Sequence, residues 1–134
     1  MRDLGAYLKW AMAQPWAWGS DAGLDCCTYG ARWVVACEHP DPMDFLRPLY
    51  DSERSALLTI RRGGGLVPLW KRGMTDAGVP EADDVRAGDV AVIEIPTEDG
   101  LGQAVGIFTG ERWATRTQAG LHFGPADVLR MWRP

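Results

Sequence analysis

The periodicity of this 134-residue chain changes partway along its length, and that change restricts its fold more than any single motif does. In the first half, apolar residues recur at three- and four-residue steps, the spacing of one helix face. From Val85 onward the texture becomes short runs rich in β-branched and aromatic residues, "DVAVIEI", "QAVGIFTG", "RWATR" and "GLHF", separated by Gly, Pro and Asp. A doubly wound parallel sheet would alternate helices with strands. Helices first and strands afterwards predict an α+β domain, with N-terminal helices packed on a small C-terminal antiparallel sheet. The length suits one domain over residues 1–134, large enough to close a core without disulfides or a structural metal. No repeat, linker or low-complexity tract interrupts it.

Local signals place the helices. Asp3 is positioned to cap a first helix whose inner face is Leu4, Tyr7, Leu8, Ala11 and Met12, and Pro15 halts it. Cys26, Tyr29, Gly30, Trp33, Val34 and Cys37 mark a second helix, with Asp25 as N-cap and the prolines of "EHPDP" beyond its end. "DPMDFLRPLY" has no period and reads as a loop. "DSERSALLTIRR" restarts a helix from Asp51 or Ser52, closed by Gly63, Gly64 and Gly65. A fourth, short helix is expected around Leu66, Leu69 and Trp70, with Pro68 tolerated in its first turn.

A net charge of -4 and a pI near 5.1 leave no basic stripe for a phosphate backbone, so nucleic acid is not expected as a partner. No apolar run reaches the roughly 18 residues that span a bilayer, and the N-terminal stretch lacks the uninterrupted apolar segment of a secretory leader. The expectation is a chain made in a cytoplasm, with no transmembrane segment. Its three cysteines are an odd count, a poor disulfide framework, and read as reduced thiols. Seven tryptophans are many for this length. Trp16, Trp18, Trp70, Trp113 and Trp132, with interspersed Arg, are residue types favoured at interfaces, although Trp is also simply a large core residue.

The chemistry-bearing feature is Cys26, directly after Asp25 at a helix start. A thiol there meets unpaired backbone N–H groups and the positive end of the helix dipole, which favour the thiolate and could receive an oxyanion. Nucleophilic catalysis also needs a base within hydrogen-bond reach. On local evidence Asp25 and Cys26 are equally an N-cap followed by a buried small residue. A zinc site built from Cys26, Cys27, Cys37 and His39 is disfavoured, because Cys37 lies about 16 Å down a continuous helix from Cys26. Neither metal nor cofactor is expected.

The stretch "PWAWGSDAGLDCCTYG" resembles the entry to bacterial cell-wall peptidases of the NlpC type, with Pro15, Trp16, Trp18, Gly19, Gly23, Asp25 and Cys26 in register. "RAGDVAVIEI" is similar to that family's Gly-Asp strand, and "QAVGIFTGERWA" to its next strand, where a His normally precedes Val-Gly-Ile. The resemblance implies a papain-like fold, Cys26 as the nucleophile position, and Trp16, Trp18 and Gly19 as the binding wall beside it. It also implies that Ala104 occupies the place of the catalytic His, and that the orienting position falls near Thr115 or Arg116. Gln103 cannot act as a base, and His39 lies at the far end of the second helix. His122 in the last expected strand is the remaining substitute.

The longer signature, through "ARWVVACEHPDP", "LRPLYDSE", "GGGLVPLW" and on to "LRMWRP", also resembles small phage proteins that accompany tail genes. Two functions follow as expectations. One is a degenerate peptidase domain serving as a structural or assembly part of a phage tail tip, held in the virion by other tail or baseplate proteins. The other is an active cysteine amidase on peptidoglycan peptides, using Cys26 and His122.

Overall fold

The computed structural model describes residues 3–97 and 100–134. Helices α1 (Leu4–Ala13), α2 (Cys26–Ala36), α3 (Glu53–Arg62) and α4 (Leu66–Asp76) come first. Strands β1 (Val90–Thr97), β2 (Gly100–Phe108), β3 (Trp113–Thr117), β4 (Gly120–Gly124) and β5 (Asp127–Trp132) follow. All pairings are antiparallel and the spatial order is β4-β3-β2-β1-β5, so the α+β class is established.

The caps explain the helix starts. Asp3 accepts from the Ala6 amide at 2.9 Å, and Ser52, not Asp51, caps α3 by accepting from Ser55. Asp25 opens α2 through a reciprocal box with Thr28: its Oδ1 takes the Thr28 amide while the Thr28 hydroxyl takes the Asp25 amide, both at 2.9 Å. Pro68 sits in the first turn of α4, where its missing N–H costs nothing. The α1 face differs from expectation at Met12, which is 58% exposed; Ala11 is buried, with Leu4, Tyr7 and Leu8 packed against the core. The segment expected as a plain loop contains a 3-10 turn, Asp44–Leu46.

α1 is a brace. Tyr7 donates its hydroxyl to the Tyr29 carbonyl of α2, and the buried guanidinium of Arg116 donates to the carbonyls of Ala11 and Gln14 at 3.0 and 2.8 Å. Arg116 thus satisfies the open C-terminal end of α1 and ties it to β3. α2 lies on the sheet through Gly30, where an added Cβ would stand 2.5 Å from Val105 Cγ1. The Tyr29 hydroxyl donates to the Ala114 carbonyl of β3 at 2.9 Å.

The strand missing from the sequence reading, β5, pairs with β1 at the sheet edge opposite β4. Only Pro125 and Ala126 separate Gly124 of β4 from Asp127 of β5. Three Cα steps reach at most about 11 Å, whereas four flat strand spacings would take about 19 Å. The sheet must therefore curl until its edges approach. Ala91, Ile93, Trp113 and Met131 fill the curl as a second core, with Ala126 of the crossing segment packed against them. Gly106 leaves room for them, since a Cβ there would lie 2.9 Å from Ile93 Cδ1.

The convex face, with Val90, Val92, Val105 and Ile107, packs against Tyr29, Trp33, Val34, Trp70 and Met74 of the helices. This corrects the expectation for the tryptophans: Trp70, Trp113 and Trp132 are each at most 5% exposed and belong to the two cores. Trp16 and Trp18 are half-buried, stacked edge to face with centroids 4.9 Å apart, and Trp10 is exposed.

Candidate functional site

Asp25 organises the site. It is 1% exposed, and its carboxylate accepts the amides of Cys27 and Thr28 on Oδ1 at 2.9 Å and that of Gly19 on Oδ2 at 2.7 Å. The Tyr50 hydroxyl faces it as well, and burial, foremost, with the negative charges of this site, holds that phenol protonated far above its ordinary range. One buried carboxylate therefore fixes the helix start, the turn that enters it and the loop that covers it. Gly19 has φ 57°, and a Cβ on it would lie 2.0 Å from the Tyr50 carbonyl oxygen, so this turn admits only glycine.

Cys26, at the first position of α2, is half-buried; Cys27 is buried behind it, with the two sulfurs 4.0 Å apart. Hydrogen bonding from the Cys27 thiol is the largest influence on Cys26 and lowers its pKa, aided by the Val105 backbone and opposed by burial and the Asp25 charge. The same contact and burial push Cys27 well up, so the first negative charge of the pair rests on Cys26. Alkylation of Cys26 by iodoacetamide should accordingly reach its plateau at lower pH than that of a free thiol, with Cys27 and Cys37 reacting slowly because both are buried. Mass-spectrometric peptide mapping across a pH series checks this, and equal labelling of Cys26 and Cys37 in the folded protein would contradict it.

Beside the thiols is a small, partly open pocket of about 60 Å³ whose wall includes Trp18, Leu46, Tyr50, Ile60, Leu69 and Trp70. α3 roofs it through Ala56, Thr59 and Ile60. A larger open groove of about 600 Å³, along Trp10, Thr28, Arg32 and Arg47, does not reach Cys26. Among the described residues no three His, Cys, Asp or Glu side chains gather as metal ligands, and no helix is long and apolar enough to cross a membrane. Trp16 Nε1 is buried without an acceptor, on the ring that stacks against Trp18.

The structure brings Asp25, Cys26, Trp18 and Gly19 together. Ala104 is also close along the chain, since the next residue, Val105, meets the Cys26 thiol through its backbone. Ala104 itself is buried and paired with Ile93, and by the alternation that turns Val105 toward α2 it shares the curl-facing side with Gly106, so its methyl group does not point at Cys26. His122 is not part of this site. Val105 faces α2, so its neighbour Gly106 faces into the curl, and the register Gly106 to Thr115 to His122 carries that orientation across two strands. His122 therefore stands on the sheet face opposite α2, exposed and packed over Gly124. This corrects its candidacy as a base. His39 follows the C-terminal end of α2, about 16 Å or more from Cys26 along the helix. Thr115 lies inside the curl and Arg116 is held by the end of α1, so neither stands ready to orient a base.

Tyr50 and the pocket wall escaped sequence reasoning. They come from the aperiodic segment before α3 and from α3 itself, and only the fold carries them over the start of α2. The doubled cysteine was visible, but its division into an acidic outer thiol and a protonated inner one depends on the contact between the two sulfurs, which the fold sets.

The fold and site define a single-sheet α+β domain with a capped, acidic thiol at a helix start against a curled antiparallel sheet. The chain belongs to the DUF6950 family, a domain of unknown function, which matches it over residues 1–134. No curated protein and no solved structure matches it.

Proposed function

We propose that this is a papain-like domain of the NlpC type that has lost hydrolysis and serves as a structural or assembly component of a phage tail tip. The observation that carries the loss of hydrolysis is the absence of an imidazole near Cys26: both histidines of the chain are accounted for, His39 beyond the far end of α2 and His122 on the other sheet face. Without one, an amine leaving group would have to depart unprotonated, and general acid–base catalysis is typically worth about 10² to 10⁴ in rate. The order of a capped helix-start cysteine, a Gly-Asp strand and a Val-Gly-Ile strand supports the NlpC-type lineage, and the longer sequence resemblance supports the tail setting. In that setting the partners are neighbouring tail or baseplate proteins, and the half-buried Trp16 and Trp18 with exposed Trp10 are the tryptophans left to meet them.

The alternative is an active amidase on peptidoglycan peptides, favoured by the lowered pKa of Cys26. Purified protein incubated with labelled peptidoglycan decides between them. No release of fragments, together with normal particles carrying Cys26→Ser, is the expected result. Fragment release that disappears in Cys26→Ser would overturn the scaffold reading.

A further inference from the structure

We propose that Cys26 is an acceptor for short acyl groups delivered as thioesters, with the acyl chain lodged in the apolar pocket between α2, α3 and α4. Two independent features meet there: a thiol pair whose less buried member is Cys26, and a partly open cavity walled almost wholly by apolar side chains, Trp18, Phe45, Leu46, Ile60, Leu69 and Trp70. Polar groups bordering the cavity are already engaged: Asp25 by three amides and the Thr59 hydroxyl by the Ser55 carbonyl. An apolar group is what remains to fill it.

The missing imidazole selects the reaction. Peptide cleavage requires a proton for the departing amine, but a thioester carbonyl expels a thiolate, which needs none. In the proposed step the Cys26 thiolate adds to the thioester carbonyl carbon and the carbon–sulfur bond to the carrier breaks. The carrier leaves as its own thiolate and takes a proton from water, while the acyl group stays on Cys26. Backbone amides at the start of α2 and at Val105 lie beside the sulfur and would face the transient oxyanion. Hydrolysis of the product would need an activated water, and among the described residues no imidazole stands near Cys26 to activate one, so the acyl-cysteine persists.

The cavity sets the chain length. At 10–15 Å³ per probe-sized occupant, about 60 Å³ holds roughly four to six non-hydrogen atoms. Acetyl to butyryl groups fit, and longer chains would have to lift α3, which is linked to α4 by Gly63, Gly64 and Gly65.

The test uses the full chain with butyryl-coenzyme A, butyryl-N-acetylcysteamine and palmitoyl-coenzyme A, followed by intact-mass measurement and peptide mapping. The expected result is one hydroxylamine-labile butyryl group on Cys26, from either butyryl carrier, formed faster than a palmitoyl group is. Leu69→Trp, which fills the pocket, should slow butyrylation roughly 15- to 60-fold, the effect of losing burial of two or three methylene groups, while iodoacetamide still alkylates Cys26 at the wild-type rate. Acylation of Cys37 at the same rate, indifference to chain length, reaction with the coenzyme A ester alone, or no effect of a folded Leu69→Trp would each overturn the proposal. The chain-length comparison needs no variant, so it stands even if Leu69→Trp fails to fold.

Discussion

Asp25→Ala should destabilise the domain by about 3 kcal/mol, the sum of a lost N-cap, typically about 1, and a buried amide left without its charged acceptor, about 1–3. The carboxylate holds the amides of Cys27, Thr28 and Gly19 while only 1% exposed, so water cannot replace it. For a chain of this size the loss corresponds to a fall in melting temperature of roughly 10 °C. Asp25→Asn keeps an acceptor oxygen for the helix amides and should cost about half as much. Thermal unfolding followed by circular dichroism reads both. A melting temperature unchanged in Asp25→Ala would show that the helix start is held by packing and that the buried hydrogen bonds are dispensable.

Gly19→Ala is expected to cost as much, for a different reason. Two penalties coincide: a left-handed backbone at φ 57°, about 1–2 kcal/mol for a residue with a Cβ, and a Cβ 2.0 Å from the Tyr50 carbonyl oxygen, where overpacking typically costs 1–3 kcal/mol. The total is about 3 kcal/mol. Gly78 separates the two, because its φ is 74° but no atom lies within 4 Å of an added Cβ. Gly78→Ala should therefore cost only the backbone part, about 1 kcal/mol. Urea unfolding of the two variants side by side measures the difference, and equal losses would mean that the close approach of Tyr50 to Gly19 is readily relieved.

Much of this protein was legible in the sequence because the deciding interactions are local. Asp3 and Asp25 cap helices through amides two or three residues away, and Pro68 announces a first turn by its own ring. The switch from helical to strand texture near Val85 carried the α+β class, and the pairing of "VAVIEI" with "QAVGIF" followed from adjacent strands joined by a short connection. Asp25 before Cys26 marked the candidate thiol for the same local reason.

What the tertiary structure alone decided depends on residues distant along the chain. "DVLRMW" carries little strand signal of its own and becomes β5 by pairing with β1, a contact no local pattern encodes. The curl that brings the sheet edges together follows from that pairing and the two-residue crossing before β5; it turned Trp113 into core and placed Thr115 inside, while the β1–β5 pairing put Trp132 into the core shared with the helices. His122 illustrates the limit most plainly. A strand residue has two faces, and which one meets α2 is fixed by register counted from Gly30 against Val105, not by anything near His122 itself. Tyr50 and the pocket over Cys26 likewise arise because the loop after α2 folds back across the helix start, where the contact between the two thiols, against the opposing effect of burial, makes the outer one acidic, and that contact together with burial keeps the inner one protonated.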